Sequence, residues 1–189
     1  TKERLPIKAM KEGMAEYAVY PRALSATERM RVESAMALRH GITLNHSYFN
    51  SKGLVVRNYY HLKAYNHRVA GIIGDSASCL YLPTGQSAEG EAAVRVAAKA
   101  IGEGASYLWG DNGKRLAFAA DRGNGKWMRR RWAATTTGIP VAGMTLTLDT
   151  RSIRQLEPLG EGERYYLAID NSGTGKFPVG QLRYYKAHM

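Results

Sequence analysis

The sequence predicts a mainly β protein, an antiparallel β-sandwich preceded by one strand and one amphipathic helix. Eight short runs of β-type residues follow residue 41, with Gly, Asn, Asp and Ser punctuating the gaps between them. Only one segment, 25–41, carries a helical period with both start and stop signals. With 44% hydrophobic and 23% charged residues over 189 positions, the composition is globular and sufficient for one domain with a short appendage.

Residues 1–14 are basic and lack apolar periodicity, so they are expected as an extended arm. Ala15 to Tyr20 alternates as a strand, with Tyr17 and Val19 on one face and Ala18 and Tyr20 on the other, and Pro21 closes it. Ser25-Ala26-Thr27-Glu28 is a capping box, in which a serine hydroxyl and a glutamate side chain satisfy each other's backbone amides. The helix it opens runs to His40, and Gly41 suits the left-handed residue that ends it. Arg39 and His40 sit at the negative end of the helix dipole. Val32, Ala35 and Met36 form the expected apolar stripe, with Arg29, Arg31, Glu33 and Arg39 in water.

The β-type runs are 67–73, 92–101, 105–109, 116–120, 126–136, 141–149, 165–170 and 182–187. Turn signals lie at Gly74-Asp75, Gly110 to Gly113, Arg122 to Gly125 and Asn171 to Gly173. The alanine-rich 92–100 run is assigned to strand, because Val94 and Val96 share a face opposite Arg95. The organisation is therefore an arm at 1–14, a strand plus capped helix at 15–44, and a β-sandwich domain at 45–189.

Several chemistries are excluded by residue type or spacing. One cysteine allows no internal disulfide framework and no thiolate zinc site. Cys79 to Leu82 reads as a buried strand rather than a reactive thiol site. No apolar run reaches ~18 residues, so no membrane-spanning helix is expected. Ser172 to Lys176 mimics a phosphate loop, but Asp170 stands where its first glycine belongs and Phe177 where Ser or Thr must follow the lysine; a hairpin turn is expected. Gly74 to Ser78 lacks the second glycine of a nucleophile elbow. The five histidines show no helical metal spacing, and Asp75, Asp111, Asp149 and Asp170 fall where side chains cap turns. No catalytic residue, metal or cofactor is expected.

The formal charge of +11 invites nucleic acid, anionic lipid or acidic glycan as partners. Its one concentration is Trp127-Met128-Arg129-Arg130-Arg131-Trp132. On a continuous strand, Trp127, Arg129 and Arg131 share one face. Trp127, Arg129 and Arg131, with Trp109 and Trp132, are the candidate ligand-binding residues, while Ser25, Glu28 and Gly41 form the structural cap. Because the other arginines are scattered, a nucleic-acid module using this cluster with Arg57, Lys114 and Lys126 is the weaker alternative. A carbohydrate-binding sandwich is another, if indoles lie on an open face.

The run Val19-Tyr20-Pro21-Arg22-Ala23-Leu24-Ser25-Ala26-Thr27-Glu28, with Arg31-Val32-Glu33-Ser34 and Leu38 to Leu44, resembles a known pattern. It is similar to the final strand and closing helix of concanavalin-like, laminin-G-type jelly rolls in large surface proteins of Bacteroidetes. Arg39-His40 stands where that pattern has Lys-Tyr, and Ala35-Met36 where it has Tyr-Leu. An uncharacterised β-rich domain follows in those proteins, and Tyr65 to Ile72, Leu108 to Asn112, Arg129 to Trp132 and Tyr166 to Asp170 match it in order. The resemblance implies a jelly-roll-like sandwich and a non-enzymatic, exported role at the cell surface, outer-membrane associated and often adhesive. Its implied partners are other protein subunits or the jelly-roll segment that the strand at 15–20 would complete. Thr1 in place of Met, without an apolar leader after it, reads as a processed or excised piece of such a protein.

Overall fold

A computed structural model describes residues 15–120, 125–138, 141–153 and 160–188. The expected arm at 1–14 and most of the turn at 122–125 lie outside the described residues.

Helix α1 (Ala26–His40) forms between the two expected caps. The Ser25 hydroxyl accepts from the Glu28 amide at 3.3 Å, and the Glu28 carboxylate accepts from the Ser25 amide at 2.9 Å. At the other end Gly41 takes φ +64°, and the Ile42 amide turns back to the Ala37 carbonyl at 2.9 Å. The buried face is Ser34, Ala37 and Leu38 rather than the expected Val32, Ala35 and Met36, which are half-buried. Ser34 can face inward because its hydroxyl donates to the Met30 carbonyl at 2.6 Å and accepts from the Phe49 amide at 3.0 Å.

The strands are β1 (Tyr48–Phe49), β2 (Val55–Arg57), β3 (His67–Asp75), β4 (Leu80–Leu82), β5 (Thr84–Gln86), β6 (Val94–Ala100), β7 (Ser106–Asp111), β8 (Phe118–Ala120), β9 (Lys126–Met128), β10 (Trp132–Thr137), β11 (Ala142–Leu148), β12 (Tyr166–Asp170) and β13 (Leu182–Lys186). They form antiparallel sheets: β10-β7-β3-β4, β11-β6-β5, and the pairs β1-β2, β8-β9 and β12-β13. The chain is thus mainly β with one α-helix among the described residues.

Strand β3 is covered on both faces, which is why its sequence reads as a nearly continuous apolar run. Val69 and Ile73 join Leu108, Leu80, Tyr48, Val56 and the α1 residues Ala37 and Leu38. Ala70 and Ile72 point the other way and pack with Trp109, Ala105, Ile101 and the β6 residues Val94 and Val96. A third cluster joins Ala93, Leu116 and Ile153, with Trp132 and Leu148 against it. Glycine permits a close approach between the two larger sheets. A Cβ at Gly85 of β5 would overlap the Gly71 carbonyl of β3 and lie 3.1 Å from the Trp109 ring.

Three expectations are corrected. Residues 15–20 are exposed and form no strand; the Glu16 carboxylate, paired with Arg39 and His40, holds the segment to α1 instead. The alternation there is local, whereas a strand needs a neighbour to pair with. The 126–136 run breaks into β9 and β10, because β9 pairs with β8 and β10 with β7, in different sheets. Cys79 is exposed at φ +53°, at the end of a short turn, and the strand begins only at Leu80.

Candidate functional site

The segment between β9 and β10 is built around a buried cation. Arg130 is 2% exposed. Its guanidinium donates to the Lys114 carbonyl at 2.6 Å, the Glu91 carbonyl at 2.7 Å and the Glu91 carboxylate at 2.6 Å. With Arg130 turned inward, Arg129 is exposed and Arg131 half-exposed on either side of it. Asn112 clasps the same segment: its amide donates to the Arg129 carbonyl at 3.2 Å, and its oxygen accepts from the Arg131 amide at 3.2 Å. The Arg129 amide donates to the Ala117 carbonyl at 2.9 Å. The backbone that presents the two arginines is therefore fixed at each residue.

Phe177, from the β12-β13 connection, completes the site. The Arg131 guanidinium carbon lies 4.7 Å from its ring centroid, and Trp127 meets the same ring edge-on at 5.8 Å. Phe177 holds φ +53° because the loop closes on Asp170, whose carboxylate accepts from the Ser172 and Phe177 amides at 2.8 and 3.1 Å. The Ser172 contacts foremost hold the Asp170 carboxyl below the usual aspartate range. A turn that spends its amides on its own aspartate offers few to a phosphate, as the failed phosphate-loop spacing predicts.

The candidate residues thus divide. Trp127 and Arg131 are brought together through Phe177, and Arg129, two residues along the chain from each, is exposed. Trp109 is 3% exposed within the core and presents no open face. Trp132 is half-buried against two of the apolar clusters. Ser25, Glu28 and Gly41 cap α1 and stand outside the site. Phe177, Asn112 and Glu91 are additions that no local pattern marks, because each acts on a segment distant in the chain.

Arg57, which the nucleic-acid reading places on a binding surface, is instead 1% exposed. It donates to the Tyr65 carbonyl at 2.7 Å and the Ala133 carbonyl at 3.1 Å. Burial lowers its pKa to about 10, so it remains a cation at neutral pH. Arg68 chelates the buried Asp111 at 2.7 and 2.6 Å, and Asp111 also accepts from the Gly113 amide at 2.8 Å. Asp75 binds the Ser51 amide at 2.7 Å and the Ser78 hydroxyl at 3.0 Å. Asp149 accepts from the Arg151 amide at 3.0 Å, so the four aspartates at turns do serve backbone or local side chains.

Two shallow grooves of about 430 Å³ each lie away from this site. One is lined by Gln86, Arg95, Thr147 and Arg151, the other by the 15–24 segment, α1 and the turn at Ala77 to Cys79. Among the described residues, no three His, Cys, Asp or Glu side chains gather as a metal site requires. Among them, too, no helix is long and apolar enough to cross a membrane.

A family model described as a domain of unknown function (DUF8202) matches residues 28–188. No curated protein and no solved structure matches the chain.

Proposed function

The chain belongs to the DUF8202 family of domains of unknown function, and within it we propose a non-catalytic structural and adhesive module of an exported cell-surface assembly. The β12-β13 ribbon is the observation that carries this reading. Its strands pair only with each other among the described residues. Tyr166, Leu167, Ile169, Tyr184 and Tyr185 are all exposed on it. Apolar side chains on a ribbon with two open edges are a contact surface for another chain.

Other features support the same reading. The facing apolar surfaces of β3-β7 and β6 fit a jelly-roll-like sandwich. The segment at 15–20, with Tyr17 and Val19 turned outward, is available to a neighbouring subunit or a jelly-roll segment. Several titratable side chains tie elements of the fold together: His40 with Glu16 at 2.8 Å, His46 with Glu33 at 2.9 Å, and Asp111 with Arg68.

Protease treatment of intact cells producing the chain tests the proposal. A surface module is digested while a cytosolic marker survives, and lysine crosslinking before digestion joins it to other envelope proteins. Complete protection of the chain on intact cells, with digestion after lysis, overturns the surface reading.

A further inference from the structure

We infer that Arg129 and Arg131, with Lys176 beside Phe177, form a binding site for an acidic polysaccharide, one carrying carboxylate or sulfate groups along its chain. The inference rests on this site's geometry and names what the adhesive module would hold. It does not depend on where the chain is displayed.

Pre-positioning of the cations is the first ground. Arg130 is buried and bonded to two other segments of the chain, Arg129 and Arg131 on either side of it are more exposed, and Asn112 clamps the backbone at both. Two residues apart in the chain, Arg129 and Arg131 have Cα atoms no more than roughly 7 Å from each other. Neighbouring anionic groups on one polymer chain can therefore be taken by both. The Phe177 ring supports the Arg131 guanidinium from one face, leaving its N–H edge for a ligand.

Absence of local neutralisation is the second ground. Among the described residues no carboxylate pairs with Arg129, Arg131 or Lys176. The acidic groups near this segment are already engaged: Asp111 with Arg68, Glu91 with Arg130, and Asp170 with the amides of its own loop. An anionic ligand supplies the missing charge, and the guanidinium forks match carboxylate and sulfate oxygens.

Ring accessibility separates a glycan from a nucleic acid. Single-stranded nucleic acid gains roughly 1–3 kcal/mol per base by stacking on open aromatic faces. Here one face of Phe177 is covered by Arg131, Trp127 is half-buried against the same ring, and Trp109 is in the core. The site offers charge and hydrogen-bond donors rather than a stacking platform.

The test measures retention of the full chain on immobilised heparin and on polygalacturonate at ~0.1 M salt, where the Debye length is about 10 Å. Oligo-dT and neutral dextran serve as competitors. At least one acidic glycan is expected to retain the chain, to be displaced by neither competitor at equal mass, and to lose roughly tenfold in affinity for each of Arg129→Gln and Arg131→Gln. Phe177→Leu, which frees Arg131, is expected to weaken binding severalfold. The double variant Arg129→Gln with Arg131→Gln is expected to abolish retention, whereas Arg183→Gln with Lys186→Gln removes equal charge from the ribbon and should leave binding unchanged. The wild-type result stands even if a variant misfolds. No retention on either glycan, efficient displacement by oligo-dT, or equal loss in both double variants overturns the inference. Glycan binding by a chain that proves to be cytosolic overturns only the surface reading.

Discussion

Arg130 donates to both the main-chain carbonyl and the carboxylate of Glu91, at 2.7 and 2.6 Å. Glu91 itself lies at φ +61°, a conformation that non-glycine residues seldom adopt. Together with its bond to Lys114, Arg130 ties three chain segments into one cluster. Arg130→Met leaves carbonyls at 91 and 114 without this donor and is expected to cost about 3 kcal/mol. Arg130→Lys keeps the charge but not the fork, so it should recover less than half of that loss. Urea unfolding reads both; a wild-type midpoint for Arg130→Met would show that the cluster contributes nothing.

Arg57 presents a different case, since its partners are carbonyls and its Nε has none among the described residues. A buried cation held only by carbonyls carries a desolvation cost that an apolar side chain of similar volume avoids. Arg57→Met should therefore fall within about 1.5 kcal/mol of wild type. Arg57→Ala removes the donor from the same carbonyls, those of Tyr65, Leu108 and Ala133, and adds a cavity, for a loss of about 3–4 kcal/mol. Thermal melts that rank the two variants equally would place the stabilisation in the guanidinium bonds and not in the volume it fills.

Local chemistry accounts for what was legible in the sequence. The capping box, Gly41 and most of the longer strands are signalled within a few residues and form close to their expected bounds, while the 126–136 run divides in two. The short β5 and the β1-β2 hairpin carry too few residues for a period to show. Residues 15–20 have the alternation of a strand but no partner, and pairing is decided by the rest of the fold. The candidate surface was half legible. Trp127, Arg129 and Arg131 stand out by composition, but on one face of a continuous strand they would imply an open platform. The inward turn of Arg130 breaks that strand, and it depends on Glu91, thirty-nine positions away. Phe177 is fixed by Asp170 through a loop that the sequence marks only as a turn.

Gly41 joins the helix end to the chain at 86–88, where its carbonyl accepts from the Ala88 amide at 2.9 Å and the Ser87 hydroxyl at 3.1 Å. A Cβ there would overlap the Gln86 carbonyl, and φ +64° disfavours any L side chain. Gly41→Ala is expected to lose about 2–4 kcal/mol. Gly90→Ala meets no heavy atom within 4 Å and should stay within about 0.5 kcal/mol of wild type. Comparing the two by chemical denaturation separates a steric requirement from a general preference for glycine in loops. Similar losses for both would remove the steric argument.

The N-terminal cap makes a prediction in acid. The Glu28 carboxyl is held at about 2 against its ordinary 4.5, first by the Arg22 guanidinium and then by the Ser25 amide. Because folding lowers this pKa, the cap contributes fully above pH 4.5 and fades as pH falls through about 2. A side-chain carboxyl titration by NMR should place Glu28 near the bottom of the glutamate range, and Arg22→Gln should move it upward. Ser25→Ala should move it less, since it removes the serine hydroxyl from the capping box but leaves the guanidinium in place. Protection of the first-turn amides should weaken over the same acid window in the wild type. In Glu28→Gln it should be lower from the start and independent of pH there. A Glu28 midpoint that Arg22→Gln leaves unmoved would break the ion-pair account and leave only the backbone contact to explain the shift.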